Sequence, residues 1–322
     1  MTKLITIVGA TGIQGGSVVE TLLKNPAYSI RAITRDRNSK SAHALADRGI
    51  EVVEADLNNV ESLHAAFAGS QAIFAVTNFF DALPKLGVEK SMEIETQQGI
   101  NLANAASATQ SLEHFVWSTL PNSQRISGGR AAVPYWQSKA RVDEHIKSIP
   151  TLLRKTTFVW FGWYARNMEY PWYQPSPVHQ GGPEKPYIQL LASSPSSVRV
   201  QMLGDERTNI GLFVNSILEQ PEMTLPGRYV LGAVEDMSLA EIVSAFAAAK
   251  SLGVVQQVQV TREVYIKLWP LWADLMDDTH SYLELMADKS FSGEEGILTA
   301  KDLGVEGLVG SAEAFKALKL IG

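Results

Sequence analysis

Cysteine is absent from the 322 residues of this chain. Without a thiol the protein can form no disulfide, perform no thiolate catalysis and hold no cysteine-ligated metal. The six histidines are scattered along the sequence and do not show the paired spacing that metal sites use. We therefore predict no metal site.

Long hydrophobic runs and long basic runs are missing as well. No stretch approaches the roughly 18 consecutive apolar residues that span a bilayer, so no membrane partner is expected. The formal net charge is −6, which argues against nucleic acid as a direct partner. The opening residues, MTKLITIVGATG, lack the apolar segment and the cleavage site of a signal peptide. We expect a cytoplasmic protein that is a monomer or a homodimer.

The first half of the chain alternates short apolar runs with segments of helical spacing. The predicted strands are residues 3–8, 29–35, 50–56, 72–78 and 114–119, and the predicted helices are residues 14–25, 39–48 and 88–108. This alternation predicts a parallel sheet with helices on both faces. Right-handed crossovers make it a doubly wound, Rossmann-type α/β fold.

The second half of the chain has a looser pattern. Residues 156–173 are crowded with aromatic side chains, and residues 174–186 carry the proline and glycine of a loop. We predict a Rossmann domain over residues 1–155. A smaller C-terminal substrate lobe is predicted over residues 156–322, partly interleaved with the carboxyl edge of the sheet.

A glycine-rich turn, IVGATGIQGG, follows the first predicted strand and opens a helix. Gly9 permits the tight turn, Gly12 lets the backbone approach a pyrophosphate, and Gly15 lets the helix and strand pack closely. The amino terminus of the helix offers unpaired N–H donors to phosphate. The alternative is a turn without a ligand. The residues of this turn predicted to bind cofactor are Gly9, Thr11, Gly12, Ile13, Gln14 and Gly15.

The turn GATGIQG, spaced G-x-x-G-x-x-G, resembles that of extended and atypical short-chain dehydrogenases, and in particular the NmrA-like family. RAITRD, EADLNN, VTNFF, QSKARVDEHI and GWYARNM are similar to that family in the same order. The resemblance covers most of the first 170 residues. It implies an NADP(H)-binding protein related to isoflavone reductases and to reductases of fungal secondary metabolism. Some members of the family bind NADP without performing chemistry.

The second predicted strand ends in AITRDRNSK, which places Arg35 about 20 residues beyond the last glycine. An NAD-preferring domain usually has an acidic residue there, whereas a guanidinium can bind a 2′-phosphate, so we predict NADPH. The alternative is a solvated cluster of surface charges. Asp56 and Leu57 follow the third strand, where similar proteins place adenine, although Asp56 could instead cap a helix. Thr77 and Asn78 end the fourth strand and are predicted to contact the cofactor.

A helix is predicted over VPYWQSKARVDEHI, residues 133–146. Tyr135, Lys139, Val142 and Ile146 follow one another at intervals of four, three and four, so they share one face of this helix. The two apolar residues indicate that this face points inward. A buried ammonium is costly without a partner, and ribose hydroxyls or a phenolate would provide one.

Tyrosine and lysine at this spacing form a functional unit in short-chain dehydrogenases. A phenol has a pKa of about 10, which a nearby ammonium lowers towards neutrality. The resemblance implies that Lys139 binds ribose, that Tyr135 donates a proton and that Ser118, in FVWSTLPN, is the third member. The alternative is that Tyr135 is a packing residue and Ser118 a strand-end hydroxyl. Many NmrA-like proteins keep the lysine and have another residue at the tyrosine position.

The aromatic residues of the second half suit either core packing or a roomy apolar pocket above the nicotinamide. The residues predicted to bind substrate are Phe79, Trp160, Trp163, Tyr164 and Trp269. The sequence thus favours an NADPH-dependent reductase acting on a C=O or C=N bond of a hydrophobic, aromatic or polycyclic molecule. The alternatives are a non-catalytic NADP(H)-sensing regulator and a cyclase that retains the cofactor.

Overall fold

The computed structural model describes residues 2–178 and 186–320. Its strands are β1 Lys3–Ile7, β2 Tyr28–Thr34, β3 Glu51–Glu54, β4 Ala72–Ala75, β5 His114–Thr119, β6 Thr156–Phe161, β7 Trp163–Tyr164, β8 Ser176–Pro177, β9 Tyr187–Leu191, β10 Arg199–Gly204, β11 Arg228–Gly232, β12 Glu235–Ser238 and β13 Val255–Gln259.

The α-helices of the described residues are α1 Ile13–Leu22, α2 Lys40–Ala46, α3 Val60–Phe67, α4 Leu83–Ala108, α5 Ser123–Ile126, α6 Pro134–Lys147, α7 Pro150–Leu153, α8 Glu206–Glu219, α9 Pro221–Thr224, α10 Leu239–Ala249, α11 Arg262–Leu268, α12 Trp272–Met286 and α13 Ser311–Ala317. Short 3₁₀ helices occupy Phe79–Asp81, Ala165–Glu169 and Ala287–Lys289.

Seven parallel strands form the central sheet, in the order β11-β6-β5-β4-β1-β2-β3. In the register of the sheet, Ile5 of β1 lies opposite Ile30 of β2 on one side and Ala72 of β4 on the other. The strand order reverses on the two sides of β1, as it does in a doubly wound fold, so the predicted fold class is confirmed. Ligands of such sheets bind at the carboxyl ends of the strands, beside this reversal point.

Helices cover both faces of the sheet because its side chains alternate between two apolar cores. On one face α1 and α8 bury Ile7 and Val116, and on the other α3, α4 and α6 bury Phe115 and Trp117. Helix α8 lies so close to α1 that a Cβ at Gly211 would come within 2.1 Å of the Thr21 hydroxyl oxygen. Glycine at this position therefore sets the distance between the two helices.

The C-terminal part adds two three-stranded sheets, β12-β10-β7 and β13-β9-β8, and a third apolar core. Two of its strands, β6 and β11, nevertheless belong to the central sheet. The predicted domain boundary between residues 155 and 156 stays a prediction. Both of these strands lie after that boundary in the sequence. Within the loop predicted over residues 174–186, the structure has the short strand β8. Residues 179–185 of this loop lie outside the described residues.

Candidate active site

The glycine turn joins β1 to α1 with almost no room for side chains. Gly9 has a φ of +68°, a conformation that glycine adopts without steric cost. A Cβ at Gly15 would lie 2.3 Å from the Gly9 carbonyl oxygen. Helix α1 has Gly12 as its N-cap, which provides no side-chain acceptor for the N–H groups of the first turn. Thr11, Gly12 and Ile13 are exposed, so these backbone donors lie at an open surface.

Gln14 connects this turn to the C-terminal lobe. Its side-chain amide donates to the Tyr164 hydroxyl over 2.7 Å, while its own carbonyl oxygen is buried without a partner in the described structure. Burial raises the pKa of the Tyr164 phenol well above its ordinary value. Tyr164 thus lies beside the predicted cofactor turn, and its predicted contact with substrate stays a prediction.

Arg35 lies just beyond the carboxyl end of β2 with 78% of its side chain exposed. Its guanidinium is 3.3 Å from a carboxylate oxygen of Asp81. The Asn78 amide donates to the other Asp81 oxygen over 2.6 Å, and the Asn78 carbonyl oxygen caps the 3₁₀ helix Phe79–Asp81. Two residues predicted to bind cofactor, Arg35 and Asn78, therefore meet at one edge of the sheet through Asp81.

Asp56 and Leu57 follow β3 at the same edge. A carboxylate oxygen of Asp56 accepts from the backbone N–H of Asn58 over 2.9 Å, which closes a tight turn. Helix α3 is capped by Asn59 and not by Asp56. The carbonyl of Leu57 accepts from the Asn101 amide over 2.8 Å. Because Asn59 caps α3, capping of this helix by Asp56 is excluded, and the Asp56 side chain is exposed at the edge of the sheet.

Lys139 is buried, with 8% of the residue exposed, and its ammonium lies at the carboxyl end of β4. It donates to the Thr77 carbonyl over 3.0 Å and to the Thr77 hydroxyl over 2.9 Å. A carboxylate oxygen of Glu95 lies 2.9 Å from the ammonium nitrogen. The expected inward position of Lys139 is confirmed, and its partner in the described structure is this ion pair.

Glu95 is a site residue that our sequence interpretation missed. It lies on α4, is fully buried, and also accepts hydrogen bonds from the Thr77 and Ser138 hydroxyls. A signal was present in the sequence, because Glu95 shares a helix face with Gly99 and Leu102, both of which are buried. Like Lys139, Glu95 is a charged residue on the inward face of a helix.

Tyr135 lies in the first turn of α6, one turn before Lys139, and is partly buried. Its hydroxyl is 3.0 Å from the Thr279 hydroxyl of α12. The rings of Phe79 and Phe80 lie 6.1 and 5.3 Å from its ring centre. Burial raises the pKa of Tyr135, whereas our sequence argument expected a lowered pKa. The cause is the desolvation of the buried phenol, which outweighs its hydrogen bond with Thr279. The Lys139 ammonium contacts Thr77 and Glu95.

Ser118 and Thr119 end β5 and are both buried. The Thr119 hydroxyl and the Trp117 indole N–H donate to one oxygen of Asp143 on α6, over 2.7 and 2.9 Å. Because side chains alternate along a strand, Ser118 points to the sheet face away from α6. The proposed cooperation of Ser118 with Tyr135 stays a prediction, and the strand alternation gives it no support.

The predicted substrate residues divide between the core and the lobe. Trp160 is 1% exposed and its ring lies 4.8 Å from that of Tyr229, inside the apolar core on the α6 side of the sheet. It is therefore a core residue, which corrects the expectation that it lines a pocket. Trp163 and Trp269 are partly buried, in edge-to-face contact with Tyr173 and Tyr265. Their contact with substrate stays a prediction.

A line of stacked rings runs from the site into the lobe. Phe80, which contacts Tyr135, stacks on Trp272 at 5.8 Å. Trp272 stacks on Trp172 at 5.0 Å, and Trp172 on Tyr170 at 4.9 Å. Offset stacking of this kind builds flat apolar walls. Aromatic rings thus lie beside Tyr135, and the predicted apolar pocket above the nicotinamide stays a prediction.

Two further observations concern the described residues only. They contain no group of three or more histidine, aspartate or glutamate side chains placed to hold a metal ion. Among the helices in residues 2–178 and 186–320, none has the length and apolarity that crossing a membrane requires.

Comparison with known proteins identifies the family. A model of the NmrA-like family matches residues 1–314. The chain belongs to the NmrA-like family. This confirms the resemblance carried by the glycine turn and the motifs that follow it.

Several NmrA-like relatives are described as oxidoreductases. The NmrA-like oxidoreductase FrzB of Cladobotryum sp is 29% identical over 293 residues, 88% of this chain and 81% of that protein. The NmrA-like oxidoreductase hkm9 of Aspergillus hancockii is 34% identical over 166 residues, 52% of this chain and 48% of that protein. The chain therefore spans about half the length of hkm9.

Solved structures share the fold of this NmrA-like chain. NmrA, a negative transcriptional regulator solved in complex with NADP, has a TM-score of 0.71 and 19% identity, over 98% of this chain and 95% of that one. Triphenylmethane reductase of Citrobacter sp., solved with NADP(H), has a TM-score of 0.69 and 20% identity, over 97% and 99%. These similarities establish the fold of the chain, which a transcriptional regulator and a reductase share.

Proposed function

We propose that this protein is an NADPH-dependent reductase that transfers hydride to a C=O or C=N bond of a hydrophobic, aromatic or polycyclic small molecule. One observation carries the proposal: Tyr135 lies one helical turn before the buried Lys139, beneath aromatic rings, beyond the carboxyl ends of the sheet strands. That edge is where Rossmann-type sheets bind ligands.

The glycine turn fits a dinucleotide. The 2.3 Å between a Cβ at Gly15 and the Gly9 carbonyl requires glycine there, and the uncapped first turn of α1 suits a pyrophosphate. Arg35 would bind the 2′-phosphate, and Lys139 with Thr77 the nicotinamide ribose. NADPH supplies the hydride when it is bound. NADP(H) in the structures of two proteins of the same fold supports this cofactor.

Tyr135 is the proposed proton donor. A reduction that places hydride on carbon must also deliver a proton to the oxygen or nitrogen. Because burial raises the pKa of Tyr135, the phenol is protonated at neutral pH, which is the state a donor requires. The hydrogen bond with Thr279 holds the phenol in position. An iminium substrate is already cationic and would depend less on this proton.

The substrate class follows from the surroundings of Tyr135. Phe80 and Trp272 are partly buried and offer flat apolar surfaces, and the stack continues through Trp172. Phe79, which the sequence predicts to bind substrate, is 2% exposed and packs in the core beneath Phe80. Planar aromatic molecules match such surfaces in shape and in polarity. That a protein of this fold is named triphenylmethane reductase supports the same class.

A non-catalytic NADP(H)-sensing regulator is the second candidate. Two observations favour it: the Tyr135 hydroxyl is already bound by Thr279, and NmrA, a negative transcriptional regulator, has the same fold. Helix α12, which carries Thr279, is flanked by Leu271 and Ala287, whose φ values of +75° and +45° are rare for residues other than glycine. Such strain is concentrated at functional segments.

The test is NADPH oxidation with aromatic ketones, imines and enones, using the unchanged protein, Tyr135→Phe and Tyr28→Phe. Tyr28 lies at the amino end of β2 and controls for the loss of one phenol hydroxyl elsewhere. We expect Tyr135→Phe to reduce ketone turnover by about 10²–10⁴-fold, the usual range for general acid catalysis, with NADPH affinity unchanged. Tight NADPH binding without turnover of any compound would favour the regulator.

A further inference from the structure

Glu95 and Lys139 form a buried ion pair between two helices. A carboxylate oxygen of Glu95, on α4, lies 2.9 Å from the Lys139 ammonium nitrogen, on α6. The Glu95 side chain is closed to water, with 0% exposed, and only 10% of the Lys139 side chain is exposed. Removing either partner would leave an uncompensated charge in the interior, which is strongly unfavourable.

The carboxylate of Glu95 is held on both oxygens. The Thr77 hydroxyl donates to one oxygen over 2.9 Å, and the Ser138 hydroxyl, the residue before Lys139, donates to the other. Thr77 lies just past the end of β4, so the network joins the sheet edge to both helices. A carboxylate fixed in this way has one orientation, and it fixes the ammonium in turn.

The helices must approach closely for this contact to form. A Cβ at Gly99 of α4 would lie 2.5 Å from a methyl group of Val142 on α6. Gly99 is one turn after Glu95, and Val142 is nearly one turn after Lys139. The close crossing of α4 and α6 therefore brings the two charged side chains into contact.

The Lys139 ammonium has no spare donor in this arrangement. It has three N–H groups, and its three acceptors are the Thr77 carbonyl, the Thr77 hydroxyl and Glu95. A ribose hydroxyl must replace one of them. The Thr77 contacts are between the ammonium and neutral groups, so they are exchanged at lower cost than the buried ion pair.

We propose that Glu95 is a positioning residue. It keeps Lys139 charged and directed at the cofactor ribose when a ribose hydroxyl replaces a contact between Lys139 and Thr77. This inference rests on the proposed function. It assigns Glu95 a role that acts entirely through Lys139. A purely structural role would instead make the effect of losing Glu95 independent of Lys139.

A double-mutant cycle separates the two roles. NADPH affinity is measured by calorimetric titration for the full chain, Glu95→Gln, Lys139→Met and the double variant. We expect each single change to weaken NADPH binding by about tenfold or more. In the Lys139→Met background, Glu95→Gln should change the affinity by less than about twofold, because coupled residues are not additive. Equal losses in both backgrounds would refute the positioning role.

Asp143→Asn is the matched control. Asp143, on α6, has a buried carboxyl group like that of Glu95, but its oxygens accept from Trp117, Thr119 and Tyr229 and not from Lys139. It should leave NADPH affinity unchanged. If Glu95→Gln does not fold, Ser138→Ala removes one donor to Glu95 and keeps the charge. Ser138→Ala should weaken NADPH binding less than Glu95→Gln does, and it should have no effect in the Lys139→Met background. A loss of NADPH affinity that persists in that background would refute the inference. If the unchanged protein fails to bind NADPH, the proposed function fails first.

Discussion

Gly15→Ala tests whether the glycine turn is the pyrophosphate site, and Gly16→Ala is its neighbour and control. A Cβ at position 15 would lie 2.3, 2.5 and 2.7 Å from the Gly9 oxygen, the Gly9 carbonyl carbon and the Ala10 nitrogen. These are backbone atoms and cannot rotate away. At position 16 the nearest atom is the Ala10 oxygen at 3.6 Å, an ordinary contact. Both positions lie in α1, so the gain in helix propensity is the same in the two variants.

The magnitudes differ accordingly. Alanine in place of glycine inside a helix stabilises by about 1 kcal/mol, so Gly16→Ala should be neutral or slightly stabilising. Overpacking costs about 1–3 kcal/mol against the same gain of about 1 kcal/mol, so Gly15→Ala should lower Tm by up to a few degrees because the turn must widen. Calorimetric titration should show NADPH binding at least about tenfold weaker for Gly15→Ala alone. Unchanged NADPH affinity in a folded Gly15→Ala protein would refute the assignment of the turn.

The remaining predictions concern charge. Arg35→Ala should weaken NADPH about 10–100-fold and NADH little, since a charge-assisted hydrogen bond contributes about 1.5–3 kcal/mol; equal losses would remove Arg35 from the 2′-phosphate. Asp81→Asn removes the exposed ion pair between Arg35 and Asp81, which contributes about 0–1 kcal/mol. The free Arg35 should bind NADPH up to about fivefold tighter, and weaker NADPH binding would contradict this role of Asp81. Burial raises the pKa of Asp143 from 3.8 to about 7. The folded state therefore holds a proton that the unfolded state has lost, and stability falls as pH rises through this window. The Tm of Asp143→Asn relative to the unchanged protein should rise between about pH 4 and pH 8, and a constant difference would reject the titration of Asp143.

The fold of the first half could be predicted from local patterns. The strand at residues 114–119 has the predicted bounds, and the predicted helix 88–108 begins directly after Gly87, whose φ of +74° interrupts α4. Each of these elements has the periodicity of its own secondary structure, and the alternation of strands and helices predicts the topology. The inward face of α6 follows from the same reasoning.

The parts that could not be predicted depend on long-range contacts. Thr279 is 144 residues away from Tyr135 in the sequence, and no local pattern links them. The sequence does not distinguish a core position for Trp160 from a pocket position, because buried strands and apolar pockets are both rich in aromatic residues. Glu95 is different, since its position on an inward helix face was visible in the sequence.

The central claim is that hydride passes from NADPH to a carbon atom of an aromatic substrate. The most direct measurement uses NADPH deuterated at the transferable position of the nicotinamide, with mass spectrometry of the products from aromatic ketones and imines. We expect one carbon-bound deuterium for each NADPH oxidised, and far slower transfer to ketones in Tyr135→Phe. Tight binding of both NADPH and NADP with no deuterium in any product would contradict it.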